Sequence, residues 1–262
     1  MLQPAEITAP AAAPPPPAVM TTFHIGSQTH FVAVFLCLMV MTAVVLMARR
    51  LLPADRESIR RRGMLIDAPG RLLGLLSLTV WISHQIWWNI PADFDAAQSL
   101  PLHLCDLAAP IGALALLTGS RVLTSCIYFW GFALCTQAFA TPVVKPGPLY
   151  TEFWLFFESH TIIIGSAVYV VAVRAFRPGW ADYKSASLCV LLYFVLILPL
   201  DIAMNWNYGY VGKVAAEGTV ITKLGPWPWR LFSLAALVFV GFFIVWLPWL
   251  IARAISGKKA SA

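Results

Sequence analysis

The sequence predicts an all-α, polytopic transmembrane helix bundle of about seven spans, with the N-terminus outside and the C-terminus inside. Three observations lead there. Hydrophobic residues make up 60% of the 262 and charged residues only 11%, whereas a soluble domain keeps roughly a quarter of its residues charged. The mean hydropathy is +0.76, so lipid must cover most of the surface. Lysine and arginine are shared so unevenly among the segments between apolar stretches that one orientation is implied.

Residues 1–24 form a Pro/Ala-rich tail with a proline run at 14–17. It offers nothing to bury and is expected to lack structure; it also lacks the basic start and apolar run of a signal peptide. Residues 25–255 are expected to form one transmembrane domain and 256–262 a cytoplasmic tail. Apolar stretches lie at 31–48, 72–90, 101–118, 123–140, 153–173, 186–206 and 229–252. Each is near the ~20 residues that cross a hydrocarbon core. Residues 119–122 alone join the third and fourth, which predicts a tight antiparallel hairpin. The alternating segments of about ten residues that build a membrane barrel are absent.

Orientation comes from charge. Arg49, Arg50, Arg56, Arg60, Arg61, Arg62 and Arg71 fall between the first and second stretches. Placing them inside also places Arg121, Arg174, Arg177, Lys184, Arg253, Lys258 and Lys259 inside, so one side holds 14 of the 18 basic residues. The net charge of +6 therefore requires no nucleic-acid partner. Trp87, Trp88, Trp154, Trp206, Trp227 and Trp229 mark one interface, Trp180 and Trp249 the other. Cys37, Cys105, Cys126, Cys135 and Cys189 all sit in apolar stretches without CxxC spacing, which reads as free thiols.

Polar side chains interrupt five of the stretches near their outer ends: His84 and Gln85, His103, Cys105 and Asp106, Gln137, Glu158 and His160, and Asp201 and Asn205. At ~1.5 Å per residue they lie roughly 2–11 Å below the outer boundary. A single Gln or Asn in a span often only hydrogen-bonds to the next helix, and a shallow Asp can snorkel. Ten such residues on five helices predict one outward-facing polar cavity, since polar groups in lipid face the bundle interior. Within it, Cys105 and His160 suit nucleophilic chemistry, because a thiol needs a base to take its proton. Glu158 or Asp201 would orient the imidazole. Residues two apart point about 200° apart on a helix, so Glu158 and His160 cannot closely face one point, nor can His103 and Cys105. A metal site from His84, His103, Cys105 and His160 lacks ligand pairs spaced on one helix, and none is expected.

The run Leu100-Pro101-Leu102-His103-Leu104-Cys105-Asp106 resembles the signature of YwaF-like bacterial integral membrane proteins. Gln137-Ala138 with Thr141-Pro142, Phe156-Phe157 leading to His160, and His30 at the first stretch fit the same pattern. The similarity covers residues 23–255. That family is in turn similar to a eukaryotic transmembrane acyltransferase family that remodels phospholipids, and to more distant lipid-ester hydrolases. The resemblance implies a Cys on an early central helix and a His two helices later as the active pair. Cys105 and His160 match it by position.

Together these readings predict a thiol-dependent acyltransferase or lipid ester hydrolase that acts on outer-leaflet phospholipid in a bacterial plasma membrane. Cys105 is the expected nucleophile and His160 the base; His84, His103, Gln137, Glu158, Asp201 and Asn205 bind or orient. No cofactor is implied, since there is no Gly-rich phosphate loop or dinucleotide fingerprint; protein partners stay open. The alternative is a proton- or small-solute-coupled transporter or binding protein that uses the same polar groups as a relay. A structural membrane partner is a third reading.

Overall fold

In a membrane, backbone N–H and C=O groups find no water and must bond within their own segment, which makes helices of long apolar stretches. The computed structural model describes residues 17–52, 67–90, 94–214 and 220–260. Seven helices dominate the described residues: α1 (Gln28–Leu51), α2 (Ala68–Trp88), α3 (Leu104–Thr118), α4 (Arg121–Ala140), α5 (Thr151–Ala172), α6 (Trp180–Met204) and α7 (Trp229–Ala260). Five of them, α1, α4, α5, α6 and α7, are long and apolar enough to cross a membrane. The 15 residues of α3 are fewer than a full crossing needs. No strand occurs among the described residues, only one antiparallel bridge between Thr22 and Pro146.

Packing puts α4 and α5 at the centre and leaves α1, α6 and α7 on the rim. Phe129, Ile127, Ile163 and Ala167 of the central pair are fully enclosed. Rim helices expose residues such as Phe35, Leu192 and Phe243, the behaviour of helices that are apolar all round. Gly119 closes α3 with φ 66°, a left-handed conformation that glycine adopts without strain. Ser120 alone then separates it from α4, so the expected hairpin forms.

The centre of α4 departs from regular geometry. Trp130–Cys135 is π-helical, and the α-helix resumes only at Gln137–Ala140. Such single-turn widenings concentrate at functional sites. Gly131 in the widened turn packs against α5 so closely that a Cβ there would lie 2.8 Å from the Ala167 Cβ.

One end of the bundle is tied by two ion pairs whose carboxylates are buried. Asp67, just before α2, is 1% exposed; it accepts from Arg174 Nε (2.6 Å), Tyr169 Oη (2.5 Å) and the Gly70 N–H (2.8 Å). Arg174 also donates to the last carbonyls of α3, at Ala115 and Leu116. Arg121 at the start of α4 holds Asp182 at the start of α6 through two bonds of 2.8 and 2.6 Å. Arg49 donates to Ala172 O, Arg253 to Pro178 O, and Arg177 lies 5.4 Å over the Trp249 ring. These arginines therefore share the end where α1, α3, α5 and α7 finish and α2, α4 and α6 begin.

At the opposite end, the tail expected to lack structure divides. Residues 1–16 lie outside the described residues, but 17–24 carry a helical turn, Ala18–Thr21. They bond to the α4–α5 connection through Phe23 N–H to Lys145 O and Gly147 N–H to Thr21 O. His30 locks this strap: its Nδ1 accepts from the Gly26 N–H (3.0 Å) and its Nε2–H donates to Phe139 O (2.8 Å). Most of the basic segment between α1 and α2, residues 53–66, lies outside the described residues, as do 261–262 of the expected tail; residues 256–260 of that tail continue α7.

Candidate active site

At the end opposite the arginines, α2 to α7 surround a cavity of about 750 Å³, within the range of small-molecule sites. α1 alone does not line it. His84 (α2), His103, Cys105 and Asp106 (α3), Gln137 and Cys135 (α4) and His160 (α5) all do.

The chain before α3 is held in place from α6 and the loop after it. Tyr193 Oη donates to Leu102 O (2.8 Å); Tyr208 Oη donates to Ala96 O (2.7 Å) and accepts from the Leu100 N–H (3.2 Å). His103 is the N-cap, with extended backbone, and its N–H donates to Asp106 Oδ2 at 3.1 Å. Cys105 is thus the second residue of the helix. At that position the N–H groups of Leu104 and Cys105 have no carbonyl partner within the helix, and the positive end of the helix dipole lies at the thiol. Because His103 precedes the helix, the 200° separation expected from Cys105 does not apply. Both line the cavity, and the His103 ring packs 4.8 Å from Tyr208 and 6.2 Å from Tyr210. Tyr210 also lines the cavity; burial pushes its hydroxyl up to about 12, which keeps it a donor.

The two remaining histidines are fixed by different partners. His160 is 7% exposed, and its Nδ1 lies 2.8 Å from the Phe156 carbonyl oxygen. A carbonyl only accepts, so Nδ1 bears the hydrogen and neutral Nε2 keeps a lone pair. His84 Nε2 accepts from the Trp88 indole N–H at 3.0 Å, so its Nδ1 bears the hydrogen and its lone pair is already used. The cavity is thereby lined by one imidazole set as a base and another set to donate.

Three residues expected at the site stand elsewhere. Glu158, two residues before His160, is carried round α5 and exposed. Asp201 is fully buried, but its Oδ1 accepts from the Tyr208 N–H (3.0 Å) and fastens the loop after α6. Asn205 closes α6 in a left-handed conformation with φ 56° and is exposed. What orients His160 is the Phe156 carbonyl rather than Glu158 or Asp201. Cys135 also reaches the cavity, though its apolar stretch reads as packing. Its signal is the π turn, which a hydrophobicity pattern does not reveal. All five cysteines are unpaired, and among the described residues no group of three His, Cys, Asp or Glu side chains could hold a metal ion.

With depth the cavity changes character. Beyond the polar group its walls are Ala109, Ala133, Ile163, Phe194, Val238 and Gly241. Lys145 and Glu152 line it from the α4–α5 connection and the start of α5.

The sequence matches the TMEM164 family over residues 25–246, a span that includes the whole cavity lining, and the chain belongs to that transmembrane family. No curated protein and no solved structure matches it. Family membership and five membrane-length apolar helices make it an integral membrane protein.

Proposed function

We propose that this TMEM164-family protein performs thiol-dependent acyl transfer or ester cleavage on a membrane phospholipid. The observation that carries the reading is one cavity lined by a thiol at a helix N-terminus and by a histidine whose free lone pair is fixed by a backbone carbonyl. The resemblance of the Leu100–Asp106 run to YwaF-like membrane proteins, a family similar in turn to phospholipid acyltransferases, supports it.

Each proposed step uses a group that lines the cavity. His160 Nε2 takes the Cys105 proton as sulfur attacks the ester carbonyl carbon. Charge develops on the carbonyl oxygen, where the N–H groups of Leu104 and Cys105 and the N–H of His84 or the Gln137 amide are the available donors. The intermediate collapses, the C–O bond breaks, and the leaving alcohol takes its proton from the His160 imidazolium. A thioester on Cys105 remains. A second alcohol, or water, then gives its proton to His160, attacks the thioester and releases the thiol. Which nucleophile enters decides between transferase and hydrolase.

We read all seven helices as spans, with α2 and the short α3 carried by their neighbours and the arginine-rich end cytoplasmic. The cavity then opens toward the outer leaflet, and the membrane we propose is a bacterial plasma membrane, a reading the resemblance supports. The relay alternative has less support. A through-path needs polar groups at both ends, and of the cavity's deep lining only Ser77 is polar.

Comparative lipid analysis of cells making the wild type and Cys105→Ala tests the proposal. The wild type should change the acyl composition of at least one phospholipid class and Cys105→Ala should not. Identical lipid profiles in the two strains, each distinct from cells lacking the protein, would remove the thiol from the mechanism.

A further inference from the structure

From the apolar floor of the cavity, and resting on the acyl transfer proposed for it, we infer that Gly241 on α7 sets the length of acyl chain the site accepts.

The α7 residues that line the cavity are Leu234, Leu237, Val238 and Gly241, the i, i+3, i+4, i+7 spacing of one helix face. Gly241 is therefore about 10 Å further along the axis than Leu234. Neighbouring helices mark the same floor. Ala109 lies one turn beyond Cys105 on α3, Ile163 nearly one turn beyond His160 on α5, and Ala133 one turn before Gln137 on α4. An amphiphile with its ester carbonyl at Cys105 would send its chain toward these residues, since apart from Ser77 the walls there are apolar.

Gly241 is the place where the floor lacks a side chain. Helix-packing glycines have a different signature: a Cβ on Gly131 would meet Ala167 at 2.8 Å, and one on Gly112 would meet Ile127 at 3.0 Å. A Cβ on Gly241 would meet only Ala133, with its Cβ at 3.5 Å and its oxygen at 3.9 Å. That is ordinary contact, so α7 does not need a glycine here to approach α4. The missing side chain instead leaves volume in the floor between the two helices. A larger residue at 241 would fill it and stop a chain earlier, and trimming Val238 nearly one turn above would deepen it.

Phospholipids with dodecanoyl, hexadecanoyl and eicosanoyl chains, each ending in a photoreactive diazirine, provide the test on full-length protein in vesicles. Cross-links are mapped by peptide mass, and hydroxylamine-sensitive acyl adducts on Cys105 are read in parallel. In the wild type the longest chain should cross-link at the floor, near Ala133 and Gly241. Gly241→Leu should lower floor cross-linking by that chain at least about tenfold, the scale for excess methylenes in an apolar pocket, and retain the dodecanoyl probe. Gly241→Ala should give an intermediate profile. Val240→Leu, on the 54% exposed lipid face of the same helix, should match the wild type and so controls for altered folding. An unchanged chain-length profile in Gly241→Leu overturns the inference even if Cys105 is acylated. A shifted profile without any Cys105 adduct upholds it and sinks the acyl-enzyme alone.

Discussion

Among the three histidines that line the cavity, only His160 combines burial, a fixed tautomer and a lone pair left for a proton. Its bond to Phe156 one turn back supplies what a carboxylate would supply in a triad, orientation without a second charge in the apolar interior. His160→Ala should slow acylation of Cys105 by about 10²–10⁴-fold, the usual contribution of a positioned acid/base; single-turnover labelling measures it. Glu158→Gln should leave that rate intact and change stability by no more than about 0.5 kcal/mol, as for other exposed positions. That only one of Glu158 and His160 can face the cavity is legible in the sequence, since residues two apart lie on different faces of one helix. The burial of Asp201 under Tyr208 is not, because the partner is a backbone N–H in a loop whose path no periodicity describes.

Helices themselves are the most legible level. The apolar stretch 153–173 becomes Thr151–Ala172 and 123–140 becomes Arg121–Ala140, because lipid rewards continuous apolarity and nothing competes with it. Two local departures are invisible to that signal and both shape the site. The start of α3 at Leu104 rather than near 101 frees His103 from helical geometry and puts Cys105 in the first turn. The π turn Trp130–Cys135 resets the phase of the last turn of α4, so Cys135 and Gln137 both meet the cavity. Deleting Ala133 should return the turn to i→i+4 bonding and leave the phase of Gln137 unchanged, because the extra residue of a π turn absorbs one helical step. Inserting one alanine after Thr136 should instead turn Gln137 by about 100°. Acylation of Cys105 should then fall while helicity by circular dichroism stays unchanged; full acylation in the insertion variant would mean that the placement of Gln137 has no part in the site.

At the scale of the molecule, the two ends of the bundle differ in chemistry. Arg49, Arg121, Arg174, Arg177 and Arg253 bond carbonyls, carboxylates and an aromatic ring at one end, and the cavity lies toward the other. The uneven share of basic residues is readable in the sequence; that they also tie helix ends together is not. With seven spans and an outside N-terminus, single cysteines at Ser256 and Lys223, in a background without the native cysteines, should react with an impermeant thiol reagent from opposite sides of sealed vesicles. Reaction of both from the same side contradicts seven spans.

The proposed chemistry stands or falls on whether Cys105 accepts an acyl group from a membrane lipid. Full-length protein incubated with a radiolabelled acyl phospholipid in vesicles, then followed by label retained after delipidation, tests it most directly. Label is expected on the wild type, on Cys126→Ala and on Cys135→Ala, released by hydroxylamine, and none on Cys105→Ala. Label that persists on Cys105→Ala, or lipid-modifying activity that survives Cys105→Ala but is lost in His103→Ala, would contradict the thiol mechanism and move the chemistry to a histidine.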